Sequence, residues 1–148
     1  MAGLLIQMEM DDLQRFIDAQ EADFTTALAE IKNGRKRSHW MWYIFPQLRG
    51  LGSSDNAMYY GIQNIDEAEA YINHPVLGQR LMEICLALLQ LKSDNANEIF
   101  GSPDDLKLRS SMTLFASLPD AYPIFQSVLE KFFNGEPDDK TLRLIGEG

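Results

Sequence analysis

Apolar residues recur at helical spacing along almost the whole chain. Leu13, Phe16 and Ile17 begin one face, with Asp11 or Asp12 placed to cap it. Phe24, Ala27, Leu28 and Ile31 continue the spacing up to Gly34, which reads as a left-handed C-terminal cap. The polar interval between Asp18 and Asp23 predicts two short helices instead of one long one. Ser38 is placed to cap a brief aromatic helix that closes before Pro46, because the residue preceding proline avoids the α region. A buried strand is the alternative there, since a short aromatic run carries no decisive period.

Past the loop Gly50-Leu51-Gly52-Ser53-Ser54, short helices are predicted over 55–60 and 65–73. The clearest stripe follows Pro75: Val76, Leu77, Leu81, Ile84, Cys85, Leu88 and Leu89 line one helix face. A small helix is expected from Ser93 to Phe100. The next opens at Ser102-Pro103-Asp104-Asp105, with Ser102 and Asp105 as a capping box, and runs to about Leu118. Pro123 opens another helix, with Ile124, Phe125, Val128, Leu129, Phe132 and Phe133 inward and Gly135 as its stop, and Asp138 is placed to cap a final turn or two. No hairpin signal separates alternating runs and no βαβ rhythm is present. The fold class expected is therefore all-α: a compact multihelical single domain with short connections over residues 11–146, preceded by a disordered extension over residues 1–10.

Charge changes this picture. The chain has 148 residues and a net charge of −9. From Ile31 to Ser54 there are five cations (Lys32, Arg35, Lys36, Arg37 and Arg49) and no acid, so an island of +5 sits on a body of −14. The same stretch holds both tryptophans and His39. Segregated positive charge interleaved with aromatics points to a surface that meets an anion. The acidic remainder disfavours nucleic acid as the partner, because such binding asks for a basic domain. No apolar run approaches the roughly 20 residues needed to span a bilayer. A lone cysteine, Cys85, fits a reducing compartment, and the cytoplasm is the compartment expected.

The motifs Gly34-Arg35-Lys36-Arg37-Ser38-His39-Trp40-Met41-Trp42, Phe45-Pro46-Gln47-Leu48-Arg49-Gly50-Leu51-Gly52, Tyr60-Gly61, His74-Pro75-Val76-Leu77-Gly78 and the run from Ile99 to Phe115 resemble the bacterial family catalogued as domain of unknown function 1810. The similarity covers essentially everything after Asp11. It implies a single, mostly helical domain and no particular reaction. The family pattern carries a cysteine where this chain has Ser111, which implies that a thiol nucleophile is not required there.

Two functions are carried forward. In the first, a small phosphorylated or nucleotide-like anion binds at Arg35, Lys36, Arg37, Trp40, Gln47 and Arg49, assisted by Asp104, Lys107 and Arg109 from the following motif. His39 is then the candidate acid or base, oriented by an aspartate, and whether catalysis occurs stays open. In the second, the island is a docking face for an acidic protein partner, and the tryptophans are core. Neither a cofactor nor a metal is expected: two histidines 35 positions apart and one cysteine provide no ligand spacing. Within the last motif, Asp105 is expected to be the structural cap and Asp104 to face Lys107 or the island, at little cost to stability if replaced.

Overall fold

A computed structural model describes the backbone of residues 2–147 and the side chains of residues 12–146. Among the described residues the chain forms α1 (Ala2–Lys32), α2 (Met41–Ile44), α3 (Asp55–Tyr60), α4 (Ile65–Asn73), α5 (Leu77–Gln90), α6 (Ala96–Phe100), α7 (Asp104–Ala116), α8 (Pro123–Phe133) and α9 (Asp139–Glu147). The extension expected over residues 1–10 falls where the side chains lie outside the described residues; the backbone from Ala2 onward belongs to α1. No described helix is long and apolar enough to cross a membrane.

α1 is one helix, not two. Its buried stripe runs through Leu13, Phe16, Gln20, Ala27 and Ile31, so the polar interval contains an inward-facing residue at the right spacing. Gln20 is tolerated there because its amide donates to the Tyr43 carbonyl (2.7 Å) and to the Tyr71 hydroxyl (2.9 Å). α1 packs on α5, α2 and α4, while α7 and α8 pair with each other and α8 closes on α5. Their shared core includes Phe16, Trp40, Phe45, Tyr71, Phe115 and Phe125.

Several ends differ from the sequence expectation by a few residues. Ser38 does not cap α2; Trp40 occupies that position without a side-chain bond. The small helix before Gly101 starts at Ala96 and is capped by Asn95, which accepts from the Glu98 N–H, while Ser93 accepts from the Asn95 N–H one turn earlier. Pro103, not Ser102, precedes α7, which ends at Ala116. Asp138 does cap α9, accepting from the Thr141 N–H at 2.9 Å. α5 ends without a glycine: the Lys131 ammonium of α8 donates to the carbonyls of Leu88 (3.1 Å), Leu89 (3.0 Å) and Leu91.

Two motif glycines are packing requirements. A Cβ on Gly78 would stand 2.0 Å from the Ile72 carbonyl oxygen, so α5 can approach the end of α4 only with glycine at that position. A Cβ on Gly61 would fall 2.8 Å from the Cβ of Arg49. Leu48 and Ile62 form a parallel bridge, with the Arg49 N–H donating to the Ile62 carbonyl at 2.8 Å. The loop after α2 and the segment after α3 are thereby locked side by side.

Candidate functional site

The basic stretch begins where α1 stops. Gly34 has φ +79°, its N–H donates to the Ile31 carbonyl (2.8 Å), and the Arg35 N–H reaches back to the Glu30 carbonyl (3.0 Å). This reciprocal pair satisfies the last carbonyls of the helix and turns the chain out of it. The Lys36 N–H then donates to the Ile99 carbonyl at 2.7 Å, pinning the segment to α6.

Glu30 organises everything that follows. Its carboxylate accepts from the Arg37 N–H (2.8 Å), the Ser38 N–H (3.0 Å), the Ser38 hydroxyl and the Trp40 indole N–H (2.9 Å). Partial burial pushes its pKa up, but these hydrogen bonds, the Ser38 hydroxyl foremost, outweigh it and hold the carboxyl at about 2. Trp40 is wholly buried, with ring centroids 6.2 Å from Phe45 and 6.4 Å from Phe100. It is therefore a core anchor and not a stacking surface, which corrects its expected place among the ligand-binding residues.

From Arg35 to Trp40 alternate side chains face outward. Arg35, Arg37 and His39 are exposed, while Lys36, Ser38 and Trp40 turn in. Lys36 pairs with Asp104 at 2.9 Å, and Lys107 pairs with the other oxygen of Asp104 at 3.1 Å. Burial pushes the Asp104 carboxyl up, yet the hydrogen bonds and charges of the two ammoniums bring it below the usual carboxylate range. The stretches 34–52 and 102–109 thus meet in space, through one carboxylate shared by two cations.

Beside this bridge lies a groove of about 260 Å³. Its walls include Trp42, Gln47, Lys107, Ser110 and Lys140. The Lys107 ammonium sits 3.8 Å from the centroid of the Trp42 ring, a cation–π contact. Trp42, unlike Trp40, is only partly buried.

Other sequence-predicted residues do not join this groove. Arg109 turns away and pairs with Glu136 at 3.5 Å, its Nε–H donating to the Glu136 carbonyl. Arg49 lines a different cleft, with Gln63 and Asn64. His39 stands exposed, and Asp104 does not orient it, being engaged by Lys36 and Lys107. Asp105 forms no capping box; its carboxylate accepts from the Leu106 N–H and the Asn97 amide. His74 is a helix-boundary residue whose Nδ1 accepts from the Val76 and Leu77 N–H groups.

Sequence reasoning missed Glu30, Asp23 and the pair Arg15–Glu67. The Tyr43 hydroxyl donates to Asp23; burial, reinforced by that carboxylate, pushes the phenol pKa up. Arg15 pairs with Glu67 at 2.7 Å and also donates to the carbonyls of Tyr59 and Gly61. A signal for Glu30 existed. An acid in the last turn of a helix opposes the dipole, and a locally unfavourable residue invites a tertiary explanation. Among the described residues no group of three or more His, Cys, Asp or Glu converges to hold a metal.

Comparison with known proteins places the chain. A crystal structure of the conserved hypothetical protein Rv1873 from Mycobacterium tuberculosis is similar at 49% identity. The match covers 91% of this chain and 96% of that one, with a TM-score of 0.89. No curated protein matches the chain significantly. A family profile described as protein of unknown function (DUF1810) matches residues 10–145, nearly the whole sequence, and the chain belongs to that family.

Proposed function

We propose that the protein binds a small phosphorylated or nucleotide-like anion in the groove beside Trp42. The observation that carries this reading is the charge balance at the bridge. Lys36 and Lys107, with side chains only 8% and 20% exposed, share the single carboxylate of Asp104. Two poorly solvated ammoniums against one carboxylate leave a net positive charge beside the groove, whose own lining adds Lys140 and Asp138 to Lys107, and an anion gains most in such a concave setting. Partly exposed Trp42, with the Lys107 ammonium against one face of its ring, adds aromatic surface beside the charge, and Gln47 adds an amide that can donate or accept. The reading is one of binding: His39 does not line the groove, so it requires no acid–base step. The buried, unpaired thiol of Cys85 is compatible with a reducing compartment such as the cytoplasm.

Tryptophan fluorescence tests the proposal. Nucleoside monophosphates and sugar phosphates titrated into the protein should change the emission of Trp42 in a saturable, salt-sensitive way, while buried Trp40 contributes a constant background. Trp42→Phe should remove the signal, and Lys107→Gln should weaken binding by roughly tenfold, the scale of one lost charge-assisted bond. A panel of such anions that leaves both the emission and the melting temperature unchanged refutes it.

A separate observation favours a second reading. Arg35, Arg37 and His39 are exposed on one edge, a strip suited to an acidic segment of a partner protein. Binding of a poly-glutamate peptide that is lost on Arg35→Ala/Arg37→Ala, but unaffected by Lys107→Gln, would select this reading over the first.

A further inference from the structure

We infer that the cleft beside Arg49 binds a small carboxylate with an aliphatic body. The inference starts from the cations. Seven lysines and arginines with described side chains are partly buried: Arg15, Lys36, Arg49, Arg80, Lys107, Arg109 and Lys131. Five of them pair with a carboxylate: Arg15 with Glu67, Lys36 and Lys107 with Asp104, Arg80 with Glu21, and Arg109 with Glu136. Lys131 donates to three carbonyls. Arg49 alone has no such partner among the described residues, and its Nε is buried without a hydrogen bond. A charged donor withdrawn from water and left unsatisfied is costly, and no other charged side chain among the described residues is left so.

The surroundings hold Arg49 in that position. Its N–H is fixed to the Ile62 carbonyl, and the backbone of Gly61 lies so close that a Cβ there would come within 2.9 Å of the Arg49 Cα. Arg49 lines a cleft of about 450 Å³ and, on another side, a more open surface shared with Asp12, Arg15 and Asp18. Gln63 and Asn64 line the same cleft, Asn64 with its side-chain oxygen already capping α4, and Leu48, Leu144 and Ile145 bring aliphatic surface. A guanidinium opposite amides and branched aliphatic side chains matches a molecule with a carboxylate at one end and a hydrocarbon at the other. Asp66 also lines the cleft, outside ion-pair distance of Arg49. Its charge selects a monoanion over a doubly charged phosphate. None of these residues lines the Trp42 groove, so the two sites stand or fall separately.

The probes are isovalerate, its uncharged counterpart 3-methylbutan-1-ol, and inorganic phosphate, each titrated into ¹⁵N-labelled protein. The resonance of the Arg49 Nε–H should move saturably with isovalerate and not with the alcohol. Arg49→Gln should weaken isovalerate binding, read by the melting temperature and by the Gln63 and Asn64 amide resonances, by roughly tenfold or more, the worth of one charge-assisted hydrogen bond. Leu144→Asp leaves Arg49 in place but supplies a competing carboxylate inside the cleft, and it should abolish binding as well. The inference is overturned if isovalerate moves none of these resonances, if it binds Arg49→Gln or Leu144→Asp as well as the parent, or if phosphate binds in its place. Trp42 emission should not respond to isovalerate, which keeps this outcome distinct from the Trp42 groove.

Discussion

Replacing Glu30 by alanine should destabilise the protein by about 3 kcal/mol, although the residue lies in the last turn of a helix where an acid is locally unfavourable. The magnitude follows from what its carboxylate holds. The Trp40 indole N–H belongs to a wholly buried side chain and would be left without a partner, a loss of roughly 1–3 kcal/mol. The Arg37 and Ser38 N–H groups lie nearer the surface and can turn to water, so each costs only about 0.5–1 kcal/mol. Relief of the helix dipole returns about 0.3–1 kcal/mol. With a urea slope of about 2 kcal/mol per molar, a loss of this size moves the midpoint down by roughly 1.5 M. Glu30→Gln keeps one acceptor oxygen and should lose about half as much. A double-mutant cycle with Trp40→Phe should give a coupling of about 1 kcal/mol or more, since the two groups touch. The pH dependence has a definite sign. The folded carboxyl is held at about 2, below its ordinary value of 4.5, so its stabilisation is complete above 4.5 and fades as pH falls through 2. The gap between parent and variant should accordingly be widest at neutral pH and shrink toward pH 2. A Glu30→Ala midpoint within about 0.3 M of the parent (roughly 0.6 kcal/mol on the same slope) would refute the reasoning.

Asp104→Ala should cost about 2 kcal/mol, not the near-zero change its sequence position suggests, because it leaves the largely buried Lys36 ammonium with the Ser38 carbonyl as its remaining partner and no countercharge; Asp105→Ala should stay within about 0.5 kcal/mol, and paired denaturation curves decide the order. Ser111→Ala should stabilise by about 1 kcal/mol, since the Ser111 hydroxyl is fully buried with no hydrogen-bond partner; an unchanged or lower melting temperature would contradict this. Gly78→Ala should lose about 3 kcal/mol or more, because α4 and α5 must separate to admit the methyl group, and a variant that melts with the parent would show that they need not.

The helices that were legible carry their partners within themselves. α5 and α8 show continuous apolar stripes and a proline at or just before the first turn, so their existence and inward faces follow from spacing alone, although Val76 falls outside α5 and the end of α5 does not follow from spacing. α1 was misread because a buried glutamine interrupts its stripe, and Gln20 is acceptable only through Tyr43 and Tyr71, which come from distant positions. The basic block was read as one patch, yet alternation along a non-helical segment sends Arg35 and Arg37 outward and Lys36 inward. The sequence directs Asp104 toward Lys107 or the island, and its carboxylate meets both, through Lys107 and Lys36. Ser111 offers a related lesson. The cysteine that the family resemblance leads one to expect at this position would stand in the core, where a thiol behaves as a small hydrophobe.

The three carbonyls gathered by Lys131 separate the place where α5 stops from the residue that determines it. A glycine-terminated helix stores its stop signal in its own next residue. Here Leu91 leaves α5 in ordinary extended geometry, with φ −70° and ψ 148°, so that position can accept many side chains. The constraint has moved to a lysine 40 positions downstream. Until α8 docks, the last turn of α5 has only the Leu91 N–H on the Leu88 carbonyl, and water, to hold its carbonyls, and it is free to fray. The boundary of one helix is therefore a property of the assembled pair: it cannot be inherited, grafted or redesigned with α5 alone.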